Sequence, residues 1–322
     1  MTTTSRLRVA LIGAGTMGSH HARVISQSPR ADLALLVDPR EAVGTAVAER
    51  FGTEWAPELP DLAEFDAVVV AAATEAHHEL AMRVLGEDTA LLIEKPVADD
   101  LRKTREIVAL ADDRDLPLLC GLLERYNPAV MTARALIEHP LHITAIRHSP
   151  YAPRIRTGVA WDLLVHDVDL AINLIGSAPT TVESRLGYFH PDSAEGAEDV
   201  AETLLGFGDG AIAHVSASRI GQRKIRQLSI NESSRLIEVD LLRRDVTVYH
   251  HVSENAVDEG RGYRQQTVIE IPELVSSQEP LTTQFSHFVD LIEGSADAAA
   301  ERATILPPHE VIDAATSKTG RG

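Results

Sequence analysis

Between residues 7 and 124, short apolar runs alternate with amphipathic stretches of helical period, and this alternation narrows the possible folds more than any other feature. Strands are expected at residues 8–12, 33–37, 67–71, 90–93 and 117–119, and helices at 20–28, 41–51, 77–86 and 101–112. A strand that pairs in parallel with the next needs a crossover, and a helix is the usual one. The pattern therefore predicts an α/β Rossmann domain, a parallel sheet covered by helices on both faces. No internal repeat of the length that builds solenoids or propellers is present.

After Asn127-Pro128 the pattern changes. Helices are expected at 129–138 and 161–175 with a strand at 142–148 between them, followed by strands at 180–188, 201–207, 211–219, 226–231, 236–241 and 246–250. Gly208-Asp209-Gly210 marks a hairpin turn within that run. Two closing helices, 281–294 and 309–316, complete an α+β domain with an open-faced, mainly antiparallel sheet read as a meander. The expected domains are 1–124 and 125–322, with the last helix able to pack back on the first. The open face of such a sheet is the expected interface of a homodimer or homotetramer.

Composition removes several function classes. The chain has 322 residues and a formal charge of −18, the wrong sign for a nucleic acid or an anionic membrane as principal partner. No apolar run approaches the roughly 18 residues of a membrane helix, and the start of the chain has no leader pattern. One cysteine, Cys120, cannot form an internal disulfide, which points to a reducing, cytoplasmic setting. An anionic small substrate remains compatible. It would need local cations, and Arg147, Arg154 and Arg156 fall within ten residues of one another.

Gly13-Ala14-Gly15-Thr16-Met17-Gly18 follows the first strand and opens a helix. In that context Gly13 permits a tight turn, Gly15 lets backbone approach a pyrophosphate, and Gly18 allows close helix–strand packing. The phosphate then lies on the unpaired N–H groups of the helix N-terminus, beside Thr16 and Met17. Asp38 stands 20 positions after Gly18, at the end of the second strand, where its carboxylate can accept from the adenosine ribose hydroxyls and would repel a 2′-phosphate. NAD is therefore expected over NADP, with Arg40 the one nearby feature able to reverse the preference.

The turn Glu94-Lys95-Pro96, directly after the strand at 90–93, resembles the signature of the glucose–fructose oxidoreductase / inositol dehydrogenase / MocA family. Glu124-Arg125-Tyr126-Asn127-Pro128, the helix opening Trp161-Asp162 and the closing Lys318-Thr319-Gly320-Arg321 extend the likeness along nearly the whole chain. The resemblance implies hydride transfer between nicotinamide and a sugar or cyclitol carbinol. It makes Lys95 the group that hydrogen-bonds the reacting hydroxyl and Glu94 a partner of the nicotinamide ribose, with Thr74 and His77 also on the cofactor side. Independently, Lys95 is one of only four lysines against 26 arginines, and it stands at the carboxyl end of a parallel strand, where open α/β sheets bind ligands.

In the expected helix at 161–175, Asp162, His166, Asp169 and Asn173 fall at spacings of four, three and four and would share one face. A histidine between carboxylates fits a general acid/base. By the family pattern, Asp162 and His166 act with Lys95, and His166 takes the hydroxyl proton. Alanines replace a Thr-Pro frequent in relatives at 71–73, and Leu164 replaces a frequent glycine. The variant Asp162-Leu163-Leu164-Val165-His166, with Arg125, Tyr126 and Asn127, resembles sugar-nucleotide 3-dehydrogenases, which implies a nucleotide-linked or phosphorylated hexose and gives Arg154 and Arg156 a phosphate to hold. An inositol or free-sugar dehydrogenase, an NAD-assisted glycoside hydrolase and a non-catalytic dinucleotide sensor remain alternatives. The doublets His20-His21, His77-His78 and His250-His251 suggest no metal site, because adjacent side chains point in different directions.

Overall fold

The computed structural model describes residues 6–255 and 263–317, so the Lys318–Arg321 likeness lies outside the described residues. The chain divides into two compact units. One runs to Leu123 and takes in Pro280–Glu310; the other is Glu124–Glu279 with the chain from Val311 onward.

The first unit contains β1 (Leu7–Ile12), α1 (Thr16–Gln27), β2 (Ala31–Val37), α2 (Glu41–Phe51), β3 (Glu54–Ala56), β4 (Ala67–Val70), α3 (Thr74–Gly86), β5 (Ala90–Ile93), α4 (Leu101–Asp113) and β6 (Leu118–Cys120). The strands form one parallel sheet in the order β3-β2-β1-β4-β5-β6. Its central strands read as unbroken apolar runs because both faces are covered: all of Val68, Val69, Val70, Leu91, Leu92 and Ile93 are sealed from solvent. At about 1.5–3 kcal/mol for each large aliphatic side chain buried, these two strands anchor the unit. Helix α1 starts at Thr16 and not at residue 20, which places Thr16 and Met17 in its first turn. The three-residue β3 was not anticipated.

The second unit begins with a 3₁₀ turn (Leu123–Tyr126, of which Leu123 closes the first unit), then α5 (Pro128–Leu136), β7 (His142–His148), a π turn (Ala160–Leu164) and α6 (Val165–Ile175). There follow β8 (Thr181–Gly187), β9 (Val200–Gly206), β10 (Ile212–Ser218), β11 (Ile225–Asn231), β12 (Arg235–Asp240), β13 (Asp245–Asn255) and β14 (Tyr263–Glu270). The eight strands are ordered β14-β13-β12-β11-β7-β10-β9-β8. The plain meander expected from the sequence is corrected here: β7 inserts between β11 and β10 and runs parallel to β10, the one parallel pair in the sheet. The β9–β10 hairpin does turn at Gly208-Asp209-Gly210, with Gly210 at φ 92° and Asp209 accepting from the Ala211 N–H at 3.0 Å.

The chain then returns to the first unit through α7 (Pro280–Ile292), α8 (Ala298–Ala303) and the start of α9 (Leu306–Ser317). Residues 280–310 thus group with the parallel sheet, where the expected boundary had put them in the second domain. The apolar face of α7 accounts for this, since Leu281, Phe285 and Phe288 complete the core over α1 and β1. Arg302 of α8 reaches Asp112 at 2.6 Å and Asp115 at 2.9 Å and donates to the Leu116 carbonyl at 2.8 Å, clamping the turn after α4. Among the described residues no helix is long and apolar enough to cross a membrane.

Candidate active site

The glycine loop is built as its spacing requires. Gly13 has φ 101°, and a Cβ there would lie 2.5 Å from the Ala71 carbonyl oxygen; one on Gly18 would lie 1.8 Å from the Gly13 oxygen. Gly15, by contrast, faces open space and stands at the N-terminus of α1, where no side chain caps the first turn. Orphan N–H groups facing an open approach suit a pyrophosphate. Beside the loop is an open-sided cavity of about 680 Å³, lined by Gly13, Gly15, Asp38, Arg40, the Ala71–Ala73 stretch and Leu80. Its size and apolar lining, with a carboxylate at one end, fit the adenosine half of a dinucleotide.

Asp38 accepts from the Ala14 N–H at 2.8 Å and the Arg40 N–H at 2.9 Å, and from the Arg40 guanidinium at 2.9 and 2.8 Å. The guanidinium, with these N–H groups, outweighs desolvation and holds the carboxyl at about 2. It stays an acceptor throughout the physiological range.

The Glu94-Lys95-Pro96 turn leaves β5 at the carboxyl end of the sheet, next to β4, whose exit lines the cavity. Buried histidines brace it. His21 of α1 lies 2.8 Å from a Glu94 carboxylate oxygen; His77 lies 2.9 Å from the Pro96 carbonyl and 3.2 Å from that of Ala72. His309 accepts from the Val97 N–H at 3.4 Å while its other nitrogen donates to the Ile305 carbonyl at 2.7 Å. Gly121 gives Glu94 its room, since a Cβ there would lie 2.8 Å from the carboxylate. His21 and His77 are the histidines that the family resemblance places by the helices of the first domain, whereas His309 carries no motif and is revealed only by its burial in the fold. The histidine doublets also resolve into separate partners, with His78 meeting Glu106 at 2.8 Å on another face of α3 from His77.

In the second unit, Asp162 lies in the π turn and His166 in the first turn of α6. The expected single helix is therefore corrected: the Val165 N–H bonds the Ala160 carbonyl, five residues back, so the stretch is not α-helical throughout. The expected polar stripe is corrected as well, because Asp169 is buried and held in a two-pronged pair by the Arg125 guanidinium, with Nε at 2.8 Å. Arg125 is thus committed to α6. Asn127 caps α5, accepting from the Ala129 N–H at 3.1 Å and donating to the Leu241 carbonyl at 3.1 Å. Tyr126 is buried, and Arg154 and Arg156 are exposed on the loop before the π turn.

Beneath α6 lies a charge network that the sequence did not reveal. Arg147 of β7 reaches Asp167 at 2.7 and 2.8 Å and Glu124 at 2.8 Å, and Arg226 of β11 reaches Glu124 at 3.2 Å. Burial opposes the charge on Glu124, but Arg147 prevails and holds that carboxyl below its ordinary value. For Asp167 burial prevails and the carboxyl is pushed up in spite of Arg147. The network ties Asp167, the residue after His166, to β7.

Comparison with known proteins agrees with this geometry. Residues 7–122 match the oxidoreductase family with an NAD-binding Rossmann fold, and residues 130–231 match the GFO/IDH/MocA C-terminal domain. UDP-N-acetylglucosamine 3-dehydrogenase of Acidithiobacillus ferrooxidans is 30% identical over 76% of this chain and 77% of that protein. Its solved structure, GnnA, superposes with a TM-score of 0.82 over 98% of this chain and 99% of its own at 25% identity. Inositol 2-dehydrogenase of Rhizobium meliloti is 27% identical over 66% of this chain and 69% of its own. GenD2 from gentamicin A biosynthesis, solved with NAD, superposes at 25% identity with a TM-score of 0.81 over 100% of this chain and 97% of its own. With its dinucleotide loop, its Glu94-Lys95-Pro96 turn and these matches along its length, the chain belongs to the GFO/IDH/MocA family of NAD-binding sugar oxidoreductases.

Proposed function

We propose that this protein is an NAD-dependent dehydrogenase acting at C3 of a hexose that carries a nucleotide or a phosphate. The observation that carries the reading is the braced Glu94-Lys95-Pro96 turn beside a cavity shaped for a dinucleotide. The likeness to UDP-N-acetylglucosamine 3-dehydrogenase supports the choice of substrate.

NAD, when bound, supplies the hydride acceptor. Gly13, Gly15, Thr16, Met17 and Gly18 hold its pyrophosphate, Asp38 the adenosine ribose and Glu94 the nicotinamide ribose, while Thr74 and His77 shape the neighbouring helix start. Lys95 hydrogen-bonds the reacting hydroxyl, and His166, paired in function with Asp162, takes its proton as the C–H hydride departs, leaving a ketone. Arg154 and Arg156 hold the phosphate, and Arg125, Tyr126 and Asn127 serve the substrate side through the turn they brace. NAD is favoured over NADP because the Asp38 carboxylate, ionised and lining the cavity, would repel a 2′-phosphate. The protein works in the cytoplasm as a homodimer or homotetramer joined through the eight-stranded sheet, where Leu204 and Ile212 are exposed on adjacent strands.

A screen of UDP- and dTDP-hexoses, hexose phosphates, free hexoses and myo-inositol, with NAD and NADP, tests this by absorbance of reduced nicotinamide. The expected result is NADH formation with a nucleotide-linked or phosphorylated hexose. Turnover of myo-inositol alone would transfer the assignment to an inositol dehydrogenase. Glycoside cleavage without net NADH would make it a hydrolase, and NAD binding without any turnover a sensor.

A further inference from the structure

The π turn at Ala160–Leu164 is an uncommon element, and such turns concentrate at functional sites. Its i to i+5 bond makes a wider turn than the α-helix, so Asp162 and His166, four residues apart, come close to one line. Something must hold that register against relaxation to an ordinary helix. The carboxylate of Glu198, buried two residues before β9, accepts from the Ala160 N–H at 2.7 Å, and the Glu198 carbonyl accepts from the Val159 N–H at 3.1 Å. Gly158 makes this possible, since a Cβ there would lie 2.1 to 2.2 Å from the carboxylate atoms. Arg219, buried beside it, donates to the Thr157 carbonyl and pins the preceding residue. Burial pushes the Glu198 carboxyl above its ordinary value, with the Ala160 N–H and Arg219 pulling the other way.

Resting on the assignment of Asp162 and His166 to the reaction, the geometry points to Glu198 as a positioning residue. Its carboxylate, seated on Gly158, caps the π turn and fixes the register that presents both side chains. What the site needs is an acceptor of the right shape, so Glu198→Gln preserves the function and Glu198→Ala abolishes it.

The test is hydrogen exchange of residues 157–166 in the full-length protein, with turnover of UDP-N-acetylglucosamine and NAD as the activity probe. Glu198→Ala raises exchange in that segment by about tenfold or more, a local opening, whereas Glu198→Gln stays within about twofold of wild type. Turnover number follows the same order while the Michaelis constant for NAD holds. Gly158→Ala displaces the carboxylate without removing it and matches Glu198→Ala, and the double variant loses no more than either single one, because both break one contact. Unchanged exchange in Glu198→Ala, or additive losses in the double variant, would overturn the proposal. His166→Ala separates the two readings: full turnover there sinks the catalytic assignment, while the exchange data still decide the cap.

Discussion

Two buried aspartates in this molecule each grip an arginine by two prongs at nearly equal distances, yet the two arginines sit in opposite physical situations. Asp38 and Arg40 are two residues apart at the cofactor cavity, and the Arg40 side chain is 62% exposed. Asp167 and Arg147 join α6 to β7 across 20 residues, and both are about 3% exposed or less. In the first pair the guanidinium lies in water, where such a fork is weak and exchangeable. In the second, both ions are sealed from water and Arg147 also holds Glu124 at 2.8 Å, so the fork is a fixture of the fold. Both aspartates are buried, so the difference between the pairs lies in the arginine, exposed in one and buried in the other.

The largest effect expected from this contrast is at the buried pair. Arg147→Ala leaves Asp167 inside without its cation and Glu124 with Arg226 alone, and should destabilise the protein by about 3–5 kcal/mol in urea unfolding. A loss below about 1 kcal/mol would show that water reaches the pair and would erase the distinction.

At the cofactor pair the effects should fall on binding. Asp38→Ala should raise the Michaelis constant for NAD by about tenfold, the worth of one charge-assisted contact, and narrow the preference over NADP. Arg40→Ala should change it by less than about threefold, with stability altered by under about 1 kcal/mol, as for other exposed ion pairs. Equal effects of the two substitutions in steady-state kinetics would mean that Arg40 and not Asp38 meets the ribose.

The same contrast explains what was legible in the sequence. The parallel sheet could be read because its strands are apolar throughout and separated by helices of clear period, and the glycine loop because its spacing is a local pattern, in which Gly13 and Gly18 answer steric demands. Asp38 could be proposed by counting, from its distance along the chain after the loop, and it lines the cavity beside that loop. Arg147 and Asp167 could not be found this way. Their meeting depends on β7 lying between β10 and β11, a long-range choice that no local pattern announces. The π turn was hidden for a different reason, because Asp162, His166 and Asp169 satisfy α-helical spacing and the inserted residue leaves no compositional trace. Glu198, 32 residues beyond His166 in the chain, comes to the turn only through the sheet.

The central claim is that Lys95, although on the cofactor side as well, acts at the reacting carbon more than in holding the dinucleotide. Lys95→Ala, assayed in parallel for NAD binding by fluorescence and for NADH formation with the substrate the screen identifies, tests it directly. The account predicts NAD affinity within about threefold of wild type and turnover reduced by about a thousandfold or more, the signature of an interaction made in the transition state. Wild-type turnover in Lys95→Ala, or a loss confined to NAD affinity, would contradict it.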